Sequence, residues 1–508
     1  MNVAQVLSTQ ARKQGTRAAI IFEGQVCTYA DFDAAVERRA SALHGLGIGR
    51  GDRVAYQVPK SLEALFLHFA IQSLGAITLP LNPDYRPEEL EYFLRDSGSC
   101  LFIADRRLFA PVRAQVLEIP GLQTLLTGEG ADPDAGSWAE ALAAAVLPFE
   151  RTYAAAGDDT AMFCYTSGTT GRSKGAMITH RNLLANAEAL HQMWAWTESD
   201  RLLHVLPLFH VHGLNVAALG CLYAGATMIM HEKFDPKRAW TALGAERCTL
   251  MMGVPTVYQR LMNEWETLAD RPDLAAMRLF ISGSAPLSDT QFRRFEQLTG
   301  WRILERYGMT ETGMIASNRL EPGGRKEKSV GYPLPGVAIR TVGSDGEAVP
   351  AGEVGEVWVR GDNVFSGYWG LEEKTRESFV AGWFRTGDMG WCDPADGDRL
   401  YLVGRAKELI ISGGFNVYPK EVENVLEALP EVREVAVIGL PDDDFGERVV
   451  AVVVAKEGAG TVSDEALMRQ CRDRLAGYKC PRQVHFVDEL PRNAMGKLQK
   501  NLLVERYR

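Results

Sequence analysis

The alternation of short apolar runs with stretches of helical period, repeated from the first residues onward, restricts this chain more than any other feature of it. Thr28-Tyr-Ala-Asp-Phe-Asp opens an Ala-rich stretch to Leu46 that reads as a capped amphipathic helix, and Asp52 to Val58 follows as a short strand. Ser61 to Leu74 reads as a second helix and Ala76 to Pro80 as a second strand. Repeated β-then-α units predict a mostly parallel sheet covered on both faces by helices, an α/β fold. Leu250 to Thr256, Arg278 to Pro286 and Ile303 to Glu311 are later strands that each run into a tight turn. In open α/β sheets ligands collect outside the carboxyl ends of the strands, so a site is expected at these turns.

From Gly331 onward the pattern changes. Val337 to Val342, Gly355 to Arg360 and Trp383 to Asp388 are short β-rich segments, expected as a small barrel or sheet appended to the main one. Tyr401 to Asn416 joins them to a tail with its own apolar set: helices at Pro419 to Leu429 and Asp464 to Leu475, and strands at Val432 to Leu440, Val449 to Lys456 and Gln483 to Val487. The organisation read from this is a large unit over residues 1–406 and a small, mobile α+β lid over residues 407–508.

A net charge of −10 excludes an electrostatic binder of nucleic acid or anionic membrane, so a phosphate-bearing ligand must be captured by a local site. The eight cysteines form no C-x-x-C pair and point to a reducing compartment. No apolar run approaches the roughly 18 residues of a membrane span, and the opening residues are too polar for a secretory signal, so a cytoplasmic protein is expected.

The local site is Tyr165-Thr-Ser-Gly-Thr-Thr-Gly-Arg-Ser-Lys-Gly175, behind the apolar run Ala161 to Cys164. Gly168, Gly171 and Gly175 let backbone N–H groups approach phosphate oxygens, while Thr166, Ser167, Thr169 and Thr170 add hydroxyl donors and Lys174 a point charge. A P-loop would have Gly before its lysine and Ser or Thr after it; this chain has Ser173-Lys174-Gly175, so a different fold holds the nucleotide. Three further sets stand out. His210-Val-His212 has a spacing of two with no Asp, Glu or Cys nearby, which favours an imidazole beside an apolar pocket over a metal site. Tyr307, Thr310 and Glu311 place an aromatic, a hydroxyl and a carboxylate at one strand end, suited to a base, a phosphate and a bridging magnesium ion. Asp388 is a candidate acceptor for ribose hydroxyls.

Together these strings resemble the adenylate-forming superfamily of acyl-CoA synthetases, luciferases and peptide-synthetase adenylation domains. The order matches over nearly the whole chain: phosphate loop, Tyr307-Gly-Met-Thr-Glu311, Thr386-Gly-Asp388, Gly404-Arg405, Gly496-Lys497. Within the superfamily the chain is most similar to malonyl-CoA synthetases, through Leu206-Pro-Leu-Phe-His-Val-His-Gly213, Ser282-Gly-Ser-Ala285, Glu305-Arg-Tyr-Gly-Met-Thr-Glu-Thr312 and Asn416-Val-Tyr-Pro-Lys-Glu-Val-Glu423.

The resemblance implies a carboxylic acid activated by ATP with Mg2+ to an acyl-AMP and pyrophosphate, then transferred to coenzyme A. It implies a nucleotide site made of the Thr166–Lys174 loop, Ser284, Ala285 and Pro286 along the adenine, Glu305, Arg306, Tyr307 and Gly308 around it, and Asp388 and Arg405 on the ribose. Tyr307 would stack on the adenine, Thr310 would contact the α-phosphate, Glu311 would hold Mg2+, and Lys497 would bridge acid and α-phosphate. Lys407 would be the hinge about which the small unit swings, bringing Ser412, Gly413, Gly414 and Phe415 to line a coenzyme A tunnel. His210, Ser282, Gly283, Met309 and Gly313 would wall the acyl pocket, Gly313 leaving extra room. Arg278 would either meet the second carboxylate of a malonate-like acid or cap its strand. Medium-chain and aryl-CoA ligases are alternatives to malonate, a carrier-protein pantetheine is an alternative acceptor, and a homodimer is compatible with the reading.

Overall fold

The computed structural model describes residues 1–508 except 152, 154, 167–172, 414, 443, 457–462 and 494–496. Among the described residues the strands form three sheets. In the largest, Ala18–Phe22, Thr227–Met230, Arg201–His204, Leu250–Gly253, Leu279–Ser282 and Leu304–Met309 run parallel side by side. The chain then turns back, and Gly313–Ser317, Ser329–Pro333, Arg399–Arg405, Trp383–Asp393, Gly355–Arg360 and Ala338–Val342 extend the same sheet antiparallel. Of the two forms expected for the β-rich segment, barrel or sheet, it takes the sheet.

The second sheet sets Thr160–Thr166, Ile77–Pro80, Arg53–Gln57, Leu101–Asp105 and Gln123–Thr127 in parallel order, with Lys174–Thr179 returning antiparallel beside Thr160–Thr166. The third belongs to the small unit: Phe415–Val417, Ile410–Ser412, Gly446–Ala455, Val432–Asp442 and Gln483–Phe486.

Local sequence accounts for the elements between the sheets. Helix Tyr29–Gly45 starts at Thr28, whose side chain accepts from the Asp31 N–H while the Asp31 carboxylate accepts from the Thr28 N–H, a reciprocal cap. Helix His180–Met193 is capped the same way by Thr179 and Asn182. Helix Leu62–Ser73 is buried from Ala64 to Ser73 because it lies between the two large sheets. Its core joins Ile20, Leu202 and Met228 of one sheet to Val54, Leu101 and Met162 of the other. A helix apolar all round is stable only in such a place. No helix among the described residues is long and apolar enough to cross a membrane.

The stretch from Val211 to Leu222 is not one regular α-helix: it is π-helical over His212–Leu219 and α-helical over Gly220–Tyr223. Widened turns of this kind occur mostly at functional sites. The start is crowded: a Cβ on Gly213 would lie 1.9 Å from the Pro207 carbonyl oxygen, and the Gly213 carbonyl is 2.8 Å from His204 Nε2. Only glycine fits between those two partners, and the wide turn aims His210 and His212 at the strand ends.

Candidate active site

The carboxyl ends of the large sheets open onto a cleft of about 1220 Å³ that is closed from the other side by the small unit. Three groups of side chains face it.

The first group is anionic at its centre. Lys174 begins the return strand of the hairpin, and Thr310 and Glu311 follow strand Leu304–Met309. Glu311 is 7% exposed, with Oε1 accepting from the Tyr368 hydroxyl at 2.9 Å. Lys174 Nζ stands 5.1 Å from the centre of the same tyrosine ring. A carboxylate, a hydroxyl and an ammonium on facing walls suit a divalent cation with phosphates, since Mg2+ takes one or two carboxylates and fills its other positions with phosphate oxygens and water. The loop residues Ser167, Gly168, Thr169, Thr170 and Gly171 lie outside the described residues, whereas Thr166 and Lys174 at its two ends both reach the cleft.

The second group comes from strands Trp383–Asp393 and Arg399–Arg405 and from the small unit. Arg405 Nε is 2.8 Å from one Asp388 oxygen, and the Tyr307 hydroxyl donates to the other. Arg405, Lys407 and Lys497 line the cleft. Burial and the Arg405 charge hold both lysines below the usual ammonium value, Lys407 at about 8. The Lys497 N–H donates to Asn493 Oδ1 at 2.9 Å.

The third group is cationic and dry. Arg306 is 2% exposed, and its Nε and Nη2 have no hydrogen-bond partner among the described residues. Its guanidinium lies against Gly283, where an added Cβ would come within 2.2 Å of Cζ. Beside it, His210 Nδ1 accepts from the His212 N–H at 3.2 Å and His212 Nδ1 is 3.1 Å from Ser284 Oγ. Burial first, then the Arg306 charge, holds both imidazoles far below their usual value, His210 at about 4, so both are neutral at physiological pH. His210 also feels Lys497, which places it between the second and third groups. Among the described residues no three His, Cys, Asp or Glu side chains are gathered to hold a metal ion.

Several expectations are corrected. Arg278 is at the amino end of strand Leu279–Ser282, while the cleft lies beyond the carboxyl end. Its guanidinium makes two 2.9 Å bonds to Asp200. Of its two readings the structural one holds, because a four-residue strand of roughly 13 Å separates it from the site. Gly313 (φ +58°) does not widen the acyl wall; a Cβ there would lie 2.8 Å from Asn186 Oδ1, in a separate small cavity. Tyr307 is 8% exposed and packs among Ile315, Val330, Val357 and Leu400, with its hydroxyl on Asp388. Strand alternation sends Arg306 to the cleft and Glu305 and Tyr307 away, and past the register shift between Tyr307 and Gly308 both Gly308 and Met309 reach the cleft wall.

Ser282 is fully buried, and neither Ala285 nor Pro286 reaches the cleft wall, whereas Ser284, Met309 and Gly308 do. Ser412, Gly413 and Phe415 also lie off the cleft, Phe415 stacking on Tyr478 at 4.8 Å, and Gly414 lies outside the described residues. The sequence reading missed His212 as a site residue, although its motif was in view, and missed Tyr368 altogether. Tyr368 sits in a Gly-Tyr-Trp string with no chemical pattern, and only the pairing of Gly367–Tyr368 with Ala176 and Met177 carries it to Glu311.

A family model described as AMP-binding enzyme matches residues 7–369, and one described as AMP-binding enzyme C-terminal domain matches residues 421–497. Feruloyl-CoA synthase of Amycolatopsis sp is 37% identical over 508 residues, covering 98% of this chain and 97% of that protein. A mitochondrial malonate–CoA ligase of Bos taurus is 36% identical over 536 residues, covering 96% and 88% respectively. The crystal structure of ATP-bound MatB from Rhodopseudomonas palustris, 42% identical, has a TM-score of 0.90 and covers 100% of this chain and 99% of that one.

Two predictions follow from the corrected placements. Arg278→Ala leaves buried Asp200 with the Thr249 hydroxyl and the Thr197 N–H and hydroxyl as donors, and should cost about 1–3 kcal/mol in denaturant unfolding while leaving every KM within about twofold of the parent. Selective loss of one acid would restore Arg278 to the pocket. Burial lifts the Glu305 carboxyl to about 7 from an ordinary 4.5. The unfolded chain therefore releases this proton first, and stability is lost as pH rises from about 4.5 to about 7. Glu305→Gln, which keeps an acceptor for the Leu287 N–H, should be more stable than the parent by about 3 kcal/mol at pH 8, with the gap closing near pH 4.5. A gap independent of pH would refute the shifted carboxyl.

Proposed function

The chain belongs to the AMP-binding enzyme family and is an ATP-dependent, AMP-forming acyl-CoA ligase, and from that premise we propose that its acid is a short dicarboxylate of the malonate type. The observation that carries this reading is Arg306: a buried guanidinium with two unpartnered nitrogens, facing the cleft among neutral imidazoles. A buried cation without an anion is costly, and an alkyl or aryl chain in that place would leave the cost standing. A second carboxylate would remove it, and the planar fork of arginine matches a carboxylate in geometry.

The two groups of cations supply the two ends of such an acid. Lys497 is surrounded by the charges of Arg405, Asp388, Glu408 and Glu311, whereas Arg306 acts on His210 and His212. His210 responds to both Arg306 and Lys497. The reacting carboxylate would lie toward Lys497 and the distal one against Arg306, with His210 along the short span between.

In the first half-reaction a carboxylate attacks the α-phosphate, so two anions must meet. Lys497 and Thr310 would offset the charge that gathers there, Lys174 would hold the departing pyrophosphate, and Arg405 with Asp388 would take the ribose. Mg2+ held by Glu311 supplies neutralisation of the phosphate oxygens. For thiolysis the small unit would turn about Lys407, withdrawing Lys497 and bringing Ser412, Gly413 and Phe415 to the pantetheine path.

The test is AMP and acyl-CoA formation across malonate, methylmalonate, acetate, butyrate, octanoate and ferulate, repeated with Arg306→Met. Malonate or methylmalonate should lead, and the substitution should lower kcat/KM for that acid by about 10–150-fold while sparing the monoacids, the loss expected for a charged hydrogen bond. A monoacid in the lead, with Arg306→Met depressing all acids alike, would sink the dicarboxylate reading and return Arg306 to nucleotide binding.

A further inference from the structure

The segment from Asn363 to Trp369 ties together the two walls that carry Lys174 and Glu311. Toward Glu311, the Asn363 side-chain amide donates to the Thr312 carbonyl at 2.8 Å and the Met314 carbonyl at 3.3 Å. The Phe365 N–H donates to the Glu311 carbonyl at 2.8 Å, and the Tyr368 hydroxyl reaches the Glu311 carboxylate at 2.9 Å. Toward Lys174, the Ser366 N–H donates to the Met177 carbonyl at 3.1 Å and the Trp369 N–H to the Gly175 carbonyl at 2.8 Å. Lys174 and Glu311 come from different sheets, and this strap bonds to both. Behind Glu311 a cavity of about 20 Å³, lined in part by Thr310 and Glu311, also borders Asn363, whose Oδ1 is buried without a partner among the described residues.

We propose that Tyr368 is a positioning residue for the metal, its hydroxyl setting the Glu311 carboxylate while its ring face steadies Lys174 at a fixed separation from that carboxylate. A ligating carboxylate is oriented by the group that hydrogen-bonds its other oxygen, and removing such a partner commonly weakens metal binding 10–100-fold. An ammonium over a ring face is attracted by the ring's quadrupole, so one side chain acts on both groups.

The role rests on Glu311 as the metal ligand, and the test separates the two claims without using any acid. Mn2+ is titrated by electron paramagnetic resonance into the full chain saturated with α,β-methylene-ATP. Tyr368→Phe should bind Mn2+ about 10-fold more weakly, with its melting temperature close to the parent's. A merely structural tyrosine would lower the melting temperature and leave Mn2+ affinity unchanged, and that result overturns the proposal. Glu311→Gln is measured in parallel: if it too leaves Mn2+ binding unchanged, the metal assignment falls and the positioning role with it. Should Tyr368→Phe fail to fold, Asn363→Ala loosens the same strap from Thr312 and Met314, and unchanged Mn2+ affinity in that variant is equally fatal.

Discussion

Crowding of like charge in one cleft is the constraint on which the rest of this structure depends. Lys174, Arg306, Arg405, Lys407 and Lys497 face a common space in a protein whose net charge is −10. The cations are there against the overall balance, and the groups beside them show the strain: burial and neighbouring charge push Lys174, Lys407 and Lys497 down. Asp388 and Glu311 offset part of it, Asp388 through its bond to Arg405. The remainder is relieved by anionic ligands, and a triphosphate with a carboxylate brings the required charge. Folding energy from the apolar layer between the two large sheets holds these groups together.

The fold was legible in the sequence where one element carries its own signal. Helix Tyr29–Gly45 was readable from Thr28 and the Ala-rich stretch, and helix Leu62–Ser73 from Ser61. The C-terminal helix Lys500–Tyr507 was not, since Gln499 offers no side-chain cap and its Leu-Leu-Val run has no helical stripe. The π-helical turn at His212–Leu219 was hidden for another reason: its cause is the contact of Gly213 with Pro207 and His204, which involves the approach of separate segments.

The site shows the same division. Thr310, Glu311 and Lys497 were readable because their motifs are contiguous, and the structure brings all three to the cleft. Arg278 and Arg306 could not be sorted by sequence, since each follows or sits in an apolar run near a site motif. Their difference is one of strand end and strand face: Arg278 precedes its strand and meets Asp200, while Arg306 lies within one, on the face that opens to the cleft. Gly313 misled for a related reason. A missing side chain suggested room, yet the backbone there closes on Asn186, so glycine marks a close approach instead of a void.

In the proposed cycle the small unit holds Lys497 for one step and releases it for the next, and the contacts at its base are suited to that. Lys500 is 2.6 Å from buried Glu423 and 3.5 Å from Glu408, so the tail that carries Lys497 is anchored to its own unit and to the Ala406–Glu408 turn. Arg405, one residue before that turn, is anchored to Asp388 of the large unit. The two anchors flank Lys407, which leaves the backbone of a single short turn to absorb a rotation. In that cycle the attraction between Lys497 and the anions in front of it would favour the closed cleft. Loss of pyrophosphate removes most of that negative charge, while Arg405 and Lys407 remain to repel Lys497. In the proposed cycle the first product's departure therefore favours the opening that the thiol needs, with no separate trigger.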